Sequence, residues 1–456
     1  MSTKIIASLG PASRDLNTVI NLCKEGVSGF RINFAHGNEE LWKSMVENVL
    51  RAENIYSKPL TIIGDLRGPS IRLGELKEQI TAKKGETLKL VLSERSEGRE
   101  LPLPVREVYE QLEVGDLIIM SDGKFRFRVS EIGEFVELTA LTDAVIGSGN
   151  TIVVANKEFD LPLLREKDLA DIEFAVKNKF SYIGLSYVRG PSDLEMLRKV
   201  IKKSGGERTR IIAKIETKSA VKNLDEIVEL CEAVLVARGD LGMNFGLEEI
   251  PYLQRKIIKR SIEIGKPVIL ATQLLESMIE NPIPTRAEVV DISTATSEGV
   301  DALMLTGETA IGKHPVEAVR WLRKIIETTE KKMTVNKSRD VKGLNEKFAK
   351  GVVELAEDIN SKLVVFSRFG NTPRRIALLR PAVEFYVGTP DIEVARALSI
   401  LWGIKAYEIS ALDYDDGLER TYEFLKKKEE LRFGDLVILA YGLKEQEQAI
   451  KLRRVS

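Results

Sequence analysis

The chain has 456 residues, 68 Lys+Arg against 69 Asp+Glu, and a formal net charge of −1. That length is too great for one simple core, so two or three domains are expected. The balanced charge argues against nucleic acid or an anionic membrane as the main partner. Two cysteines, Cys23 and Cys231, both in apolar contexts, read as buried thiols in a reducing compartment rather than a disulfide or metal site.

The N-terminal MSTKIIASLG lacks the pattern of a signal peptide. No apolar run is long enough to span a bilayer, and a cytoplasmic location is expected. Up to residue 69, strand-like runs at 5–7, 29–33 and 60–65 alternate with helical patterns over Leu16–Lys24, with Asn17 near its start, and Glu39–Tyr56. That βαβα rhythm implies a parallel sheet. It breaks after Gly68-Pro69. Short alternating stretches at 87–92, 117–120, 124–129, 135–141 and 151–154, punctuated by glycines, read as a small inserted β-domain. The rhythm resumes with strand-like runs at 182–185, 211–215, 233–236, 267–270 and 302–305, each after a helical segment.

Three strands before the insertion and five after it make the count of a (β/α)8 TIM barrel. Rhythm alone also admits a doubly wound sheet, but polar groups follow nearly every strand, which favours the barrel. The expected domains are therefore a discontinuous barrel over 1–69 and 158–333, a β lid over 70–157 and a C-terminal α/β unit over 334–456. In that last unit, helices are expected at 348–359, 373–379 and 392–401, strands at 363–366, 383–386 and 436–440, and a polar linker at 331–342.

The strand ends carry the chemistry. After the second come Arg31, Asn33 and His36; after the third, Asp65, Leu66, Arg67 and then Arg72. Lys214 and Glu216 follow the fifth, Arg238, Gly239 and Asp240 the sixth, Thr272 the seventh, and Thr306-Gly307-Glu308-Thr309 the eighth. Charges are almost never buried unpaired, so this ring binds ions, substrate or its own members. Arg31, Arg72 and Lys214 suit phosphoryl oxygens; Glu216 and Asp240 are hard oxygen ligands suited to Mg²⁺. Inter-strand salt bridges are the alternative reading of the same ring. Glycine-rich nucleotide motifs are absent, so any nucleotide is held otherwise.

Taken together, TKIIASLGPAS, RINFAHG, GDLRGPSIR, IIAKIET, VARGDLGM, PVILATQLLESMIENPIPTRAE and ALMLTGETAIGKHPVEAV resemble the pyruvate kinase family, in order along nearly the whole chain. The resemblance implies a Mg²⁺- or Mn²⁺-dependent transfer of phosphoryl from phosphoenolpyruvate to ADP, giving pyruvate and ATP in glycolysis. It assigns phosphoryl stabilisation to Lys214 and Arg31. The metal falls to Glu216 and Asp240, the substrate carboxylate to Gly239, Asp240 and Thr272, and proton delivery to a relay that includes Thr272. Asn33, His36, Arg72 and, in the lid, Lys157 fall on the nucleotide side. A homotetramer is implied, with 278–298 as a subunit contact.

The chain also departs from the family. Most members carry serine where Ala35 stands, glutamate where Ser70 stands and threonine-lysine where Leu66-Arg67 stand. Of the family's K⁺ site Asn33, Asp65 and the Leu66 carbonyl survive, so activity without K⁺ is expected. In the third domain Ser367, Arg368, Gly370, Asn371, Thr372 and Arg374 run from a strand into a helix. They match a family loop where phosphometabolite effectors bind; an ordinary capped helix is the alternative. A metal-dependent lyase or aldolase acting on pyruvate-like acids is the competing activity, since related barrels use a comparable carboxylate pair.

Overall fold

The computed structural model describes residues 2–121, 123–333, 335, 341, 343–442 and 447–456. Eight parallel strands close into a barrel: β1 (Lys4–Ser8), β2 (Val27–Asn33), β3 (Thr61–Asp65), β4 (Tyr182–Leu185), β5 (Arg210–Ile215), β6 (Ala233–Ala237), β7 (Val268–Ala271) and β8 (Ala302–Leu305). Each pairs with its neighbours in the chain, and β1 closes on β8. All eight are largely or wholly buried, as expected of a parallel sheet covered on both faces, and so read as apolar runs. The helices between them pack an apolar face outward of the strands. Leu16–Lys24, for example, buries Val19 and Leu22 and is capped by Asp15, whose carboxylate accepts from Thr18 N–H; the cap lies two residues before the Asn17 that marks the start in the sequence.

The insertion follows β3. Its main sheet has seven strands, largely antiparallel, with Leu88, Leu90, Phe127, Val129 and Leu138 in its core. Several pieces, such as Ile71–Arg72, Glu75–Leu76 and Ile80–Ala82, are too short for a period of two to show in the sequence.

The third unit contains β9 (Lys362–Phe366), β10 (Phe385–Thr389), β11 (Ile404–Glu408), β12 (Leu436–Gly442) and β13 (Gln448–Arg454) in the order β11-β10-β9-β12-β13. The first four are parallel and β13 is antiparallel. Sequence reading misses β11, β13 and the helix Tyr414–Lys427. The two strands are sheet edges with half-polar composition, so neither presents an apolar run. The linker expected at 331–342 lies mostly outside the described residues, and Lys331 and Lys332 close the helix Pro315–Lys332.

This unit seals the N-terminal end of the barrel. Ile6, Ile63, Tyr182, Ile212, Leu235, Ile269 and Met304 inside the barrel form one apolar cluster with Leu398, Leu401 and Trp402 below. Tyr182 donates to the Ala397 carbonyl (2.8 Å) and Lys4 to that of Ile404 (2.6 Å). The opposite, C-terminal end stays clear for the site.

Candidate active site

Lys214 stands near the end of β5, where a side chain alternates into the barrel mouth. Its ammonium donates to Ser186 Oγ (2.6 Å) and lies 3.3 Å from Asp65 Oδ1 and 3.0 Å from Glu216 Oε1. Burial works against this charge, but Asp65 and Glu216 outweigh it and hold the Lys214 pKa above its ordinary range. Asp65, at the end of β3, is shared. Its Oδ2 accepts from Arg31 Nε (2.7 Å) and Nη2 (2.5 Å), while Arg31 Nη1 donates to Ser8 Oγ (3.1 Å). Burial pushes Asp65 up; Lys214 and Arg31 more than reverse this, so it stays ionised. Room for its carboxylate comes from Gly184 on β4, where a Cβ would sit 3.2 Å from Asp65 Oδ1.

Glu216 is wholly buried. Its Oε2 accepts from the Tyr187 N–H (2.8 Å), but Oε1, although close to Lys214, has no hydrogen-bond partner. Burial first, and the like charge of Asp240 beside it, push the Glu216 carboxyl up against the pull of Lys214. Asp240 accepts at Oδ1 from the Tyr187 phenol (3.0 Å). Burial, Asp240 and Glu216 hold that phenol protonated, its pKa well above the ordinary value.

Two hard carboxylates side by side, one with a buried oxygen that has no hydrogen-bond partner, fit a divalent cation. Among the described residues no cluster of three or more acidic, His or Cys side chains gathers. An ion held by one or two carboxylates would take its remaining positions from water and substrate oxygens.

Thr272, just past β7, and Gln273 both have left-handed backbones (φ 69° and 52°), a strained conformation for a β-branched residue. Arg238 holds them: Nε and Nη2 donate to the Thr272 carbonyl (3.2 and 2.8 Å) and Nη2 to that of Gln273 (3.0 Å). Arg238 is anchored in turn on Asp291 (2.5 Å). The Thr272 hydroxyl accepts from the Gly239 N–H (3.0 Å), a bond that does not use its own proton. Glu308, conspicuous in the sequence, is structural: it accepts from Leu275 N–H (3.0 Å) and Thr306 N–H (2.8 Å) and ties the loops after β7 and β8 together.

The remaining predicted residues divide. His36 is exposed beside Arg72, Arg31 and Arg67, and partial desolvation with these charges lowers its pKa. Asn33 Oδ1 accepts from Ala35 N–H (3.1 Å), and the Leu66 carbonyl accepts from Ser186 (2.9 Å). Arg72 lies on the first short strand of the insertion, donating to the Gly149 carbonyl (3.0 Å). Lys157 is occupied within the lid by Glu113 and Asp116, each at 2.9 Å. In the C-terminal loop Ser367 Oγ accepts from Gly370 N–H (3.0 Å), Arg368 donates to the Leu412 carbonyl (2.6 Å) and Thr372 is buried. Arg374 does not join them. It lies about one turn from Asn371 on the same face of the helix, and the two line a cleft of about 1130 Å³ between this unit and the barrel floor at Glu232 and Lys266, which Ser367, Arg368 and Thr372 do not line. Ser186 and Tyr187 were missed, since neither carries charge; their position directly after β4 was the available signal.

A (β/α)8 barrel with an ammonium, a guanidinium and a carboxylate pair at its C-terminal mouth belongs to the metal-assisted enzymes of anionic substrates. The comparisons are more specific. The family model described as pyruvate kinase, barrel domain, matches residues 1–319, and that for the pyruvate kinase alpha/beta domain matches 346–452. The pyruvate kinase of Pyrobaculum aerophilum is 38% identical over 99% of this chain and 96% of its own length; that of Aeropyrum pernix is 38% identical over 96% and 95%. A crystal structure of the Pyrobaculum aerophilum pyruvate kinase superposes with a TM-score of 0.87 at 37% identity, covering 99% of both chains. One from Cryptosporidium parvum gives 0.89 at 31%, covering 100% of this chain and 96% of that one. The chain belongs to the pyruvate kinase family. Its reaction is transfer of the phosphoryl group of phosphoenolpyruvate to ADP, with the divalent-metal dependence general to that family. No helix among the described residues is long and apolar enough to cross a membrane.

Proposed function

We propose that the reaction runs between Lys214, Arg31, Glu216, Asp240 and Thr272. The observation that carries this reading is the buried Glu216, with an orphaned oxygen, set between Asp240 and the Lys214 ammonium. Glu216 and Asp240 would hold Mg²⁺ or Mn²⁺, which supplies positive charge to the enolate and phosphoryl oxygens when bound. Lys214 and Arg31 face the phosphoryl group in transit, supplying preorganised charge where a loose transition state spreads it. Gly239, Asp240 and Thr272 receive the carboxylate end, and the Thr272 hydroxyl belongs to the relay that protonates the enolate. Asn33, His36 and Arg72 form the nucleotide side. Lys157 joins them when lid closure exchanges Glu113 and Asp116 for phosphate oxygens, a movement that also excludes water.

In this reading 1–69 and 158–333 are the catalytic domain, 70–157 the lid and 334–456 the regulatory domain, acting in the cytoplasm. The loop Ser367–Thr372 lies where β9 and β12 part, the topological switch point of the sheet, which supports an effector site for a phosphometabolite. Ile283 and Val290, both exposed and both within the segment 278–298, support a homotetramer contact. Of the groups that survive from the K⁺ site, Asn33 Oδ1 and the Leu66 carbonyl accept from protein donors, and the two Asp65 oxygens lie against Arg31 and Lys214, which supports activity without K⁺. A coupled assay for pyruvate from phosphoenolpyruvate and ADP tests this. Turnover is expected with Mg²⁺ in buffer free of Na⁺ and K⁺, and none after chelation. Turnover that appears only on adding K⁺ overturns the K⁺-independent reading, and turnover that survives chelation overturns the metal assignment.

A further inference from the structure

Tyr187 follows β4 by two residues and has a left-handed backbone (φ 56°), an uncommon conformation for an aromatic residue. From that position it bonds to both of the carboxylates proposed to hold the metal, on two different elements. Its N–H donates to Glu216 Oε2 (2.8 Å) beyond β5, and its phenol donates to Asp240 Oδ1 (3.0 Å) beyond β6. Below them, the Asn244 amide donates to the backbone carbonyls of the same two residues (2.9 and 3.1 Å). Asn244 thus clamps the main chains and Tyr187 the carboxylates. Two anions side by side in a buried mouth repel, and each is driven to rotate away from the other. A donor on each carboxylate opposes that rotation.

We infer that Tyr187 is a positioning residue for the divalent ion: its amide and its phenol preset the Glu216 and Asp240 carboxylates in a chelating orientation before the ion arrives. This rests on the reading of those two residues as the metal ligands. Donors behind metal ligands typically change metal affinity by about 10- to 100-fold. Phenylalanine at 187 keeps the ring and the amide and removes only the bond to Asp240, so the lower end applies.

The test is a Mn²⁺ titration by electron paramagnetic resonance on substrate-free wild type, Tyr187→Phe and Asp240→Asn, with metal-free thermal unfolding of the same samples. Tyr187→Phe is expected to bind Mn²⁺ about tenfold more weakly at an unchanged metal-free midpoint, and Asp240→Asn to lose the site. In turnover, half-saturating Mn²⁺ for Tyr187→Phe should rise by the same factor while kcat at saturating Mn²⁺ stays within about threefold. Wild-type affinity in Tyr187→Phe, with Asp240→Asn impaired, overturns the positioning role and leaves the metal site standing. Wild-type affinity in Asp240→Asn overturns both. Weaker binding that comes with a matching fall in metal-free stability makes Tyr187 a packing residue and overturns the positioning role.

Discussion

Lys214 is the residue on which the charge balance of the mouth depends. It stands between Asp65 and Glu216, both buried, and both would be left without this cation if it were removed. Lys214→Met is therefore expected to lower kcat by about 10²- to 10³-fold, the usual effect of removing a preorganised charge from a transition state. A coupled assay at saturating phosphoenolpyruvate, ADP and Mg²⁺ checks this, and an unchanged rate removes the phosphoryl role. At this scale Arg31, Lys214, Glu216 and Asp240 were legible because each breaks an apolar run with a charge that burial alone does not tolerate. Glu308 breaks a run in the same way yet bonds two loop amides. Pattern separates charge from apolar surroundings but does not say what the charge faces. Tyr187 and Ser186 made the opposite error possible: uncharged side chains with central positions.

Among the elements, the loop after β7 shows how a strained segment is kept. Thr272 and Gln273 are left-handed, and Arg238 bonds to both carbonyls from the start of the helix Arg238–Phe245, braced by Asp291 on the helix Arg286–Ser297. Arg238→Met should release the loop and displace the Thr272 hydroxyl. The expected result is a kcat lower by about 10²-fold, the effect of a displacement near 1 Å, with Mn²⁺ affinity unchanged because neither carboxylate is touched. Steady-state rates alongside a Mn²⁺ titration check both; a full rate would show that the loop holds itself. Buried parallel strands such as Tyr182–Leu185 and Ala302–Leu305 could be read to the residue because both faces are apolar. The edge strands β11 and β13 could not, because an edge needs only one apolar face and the ladder supplies the rest.

Over the whole molecule, the C-terminal unit and the barrel share one apolar cluster, and a buried ion pair stands at its margin. Arg380 donates to Asp301 through Nη1 (3.2 Å) and Nη2 (2.6 Å), and neither side chain is more than 1% exposed. Asp301 also accepts from Val268 N–H (2.9 Å) and Trp402 N–H (3.1 Å), joining β7 to the unit below. Arg380→Met leaves that carboxylate buried without its cation, and is expected to destabilise the chain by about 3–5 kcal/mol, read from the denaturant midpoint. A shift below 1 kcal/mol or so would mean that the two amides suffice for Asp301.

Periodicity and composition were enough for the eight-strand count, the inserted β-domain, the α/β third unit and the charged strand ends, because all of these are consequences of which residues must be buried. Contacts between residues far apart in the chain were not available to them. The sharing of Asp65 between Arg31 and Lys214, the double hold of Tyr187 on Glu216 and Asp240, the Arg238 brace and the turning of Arg374 toward the barrel floor all depend on distances across strands. A linear pattern records each residue's own environment, whereas these depend on pairs that only barrel closure brings together.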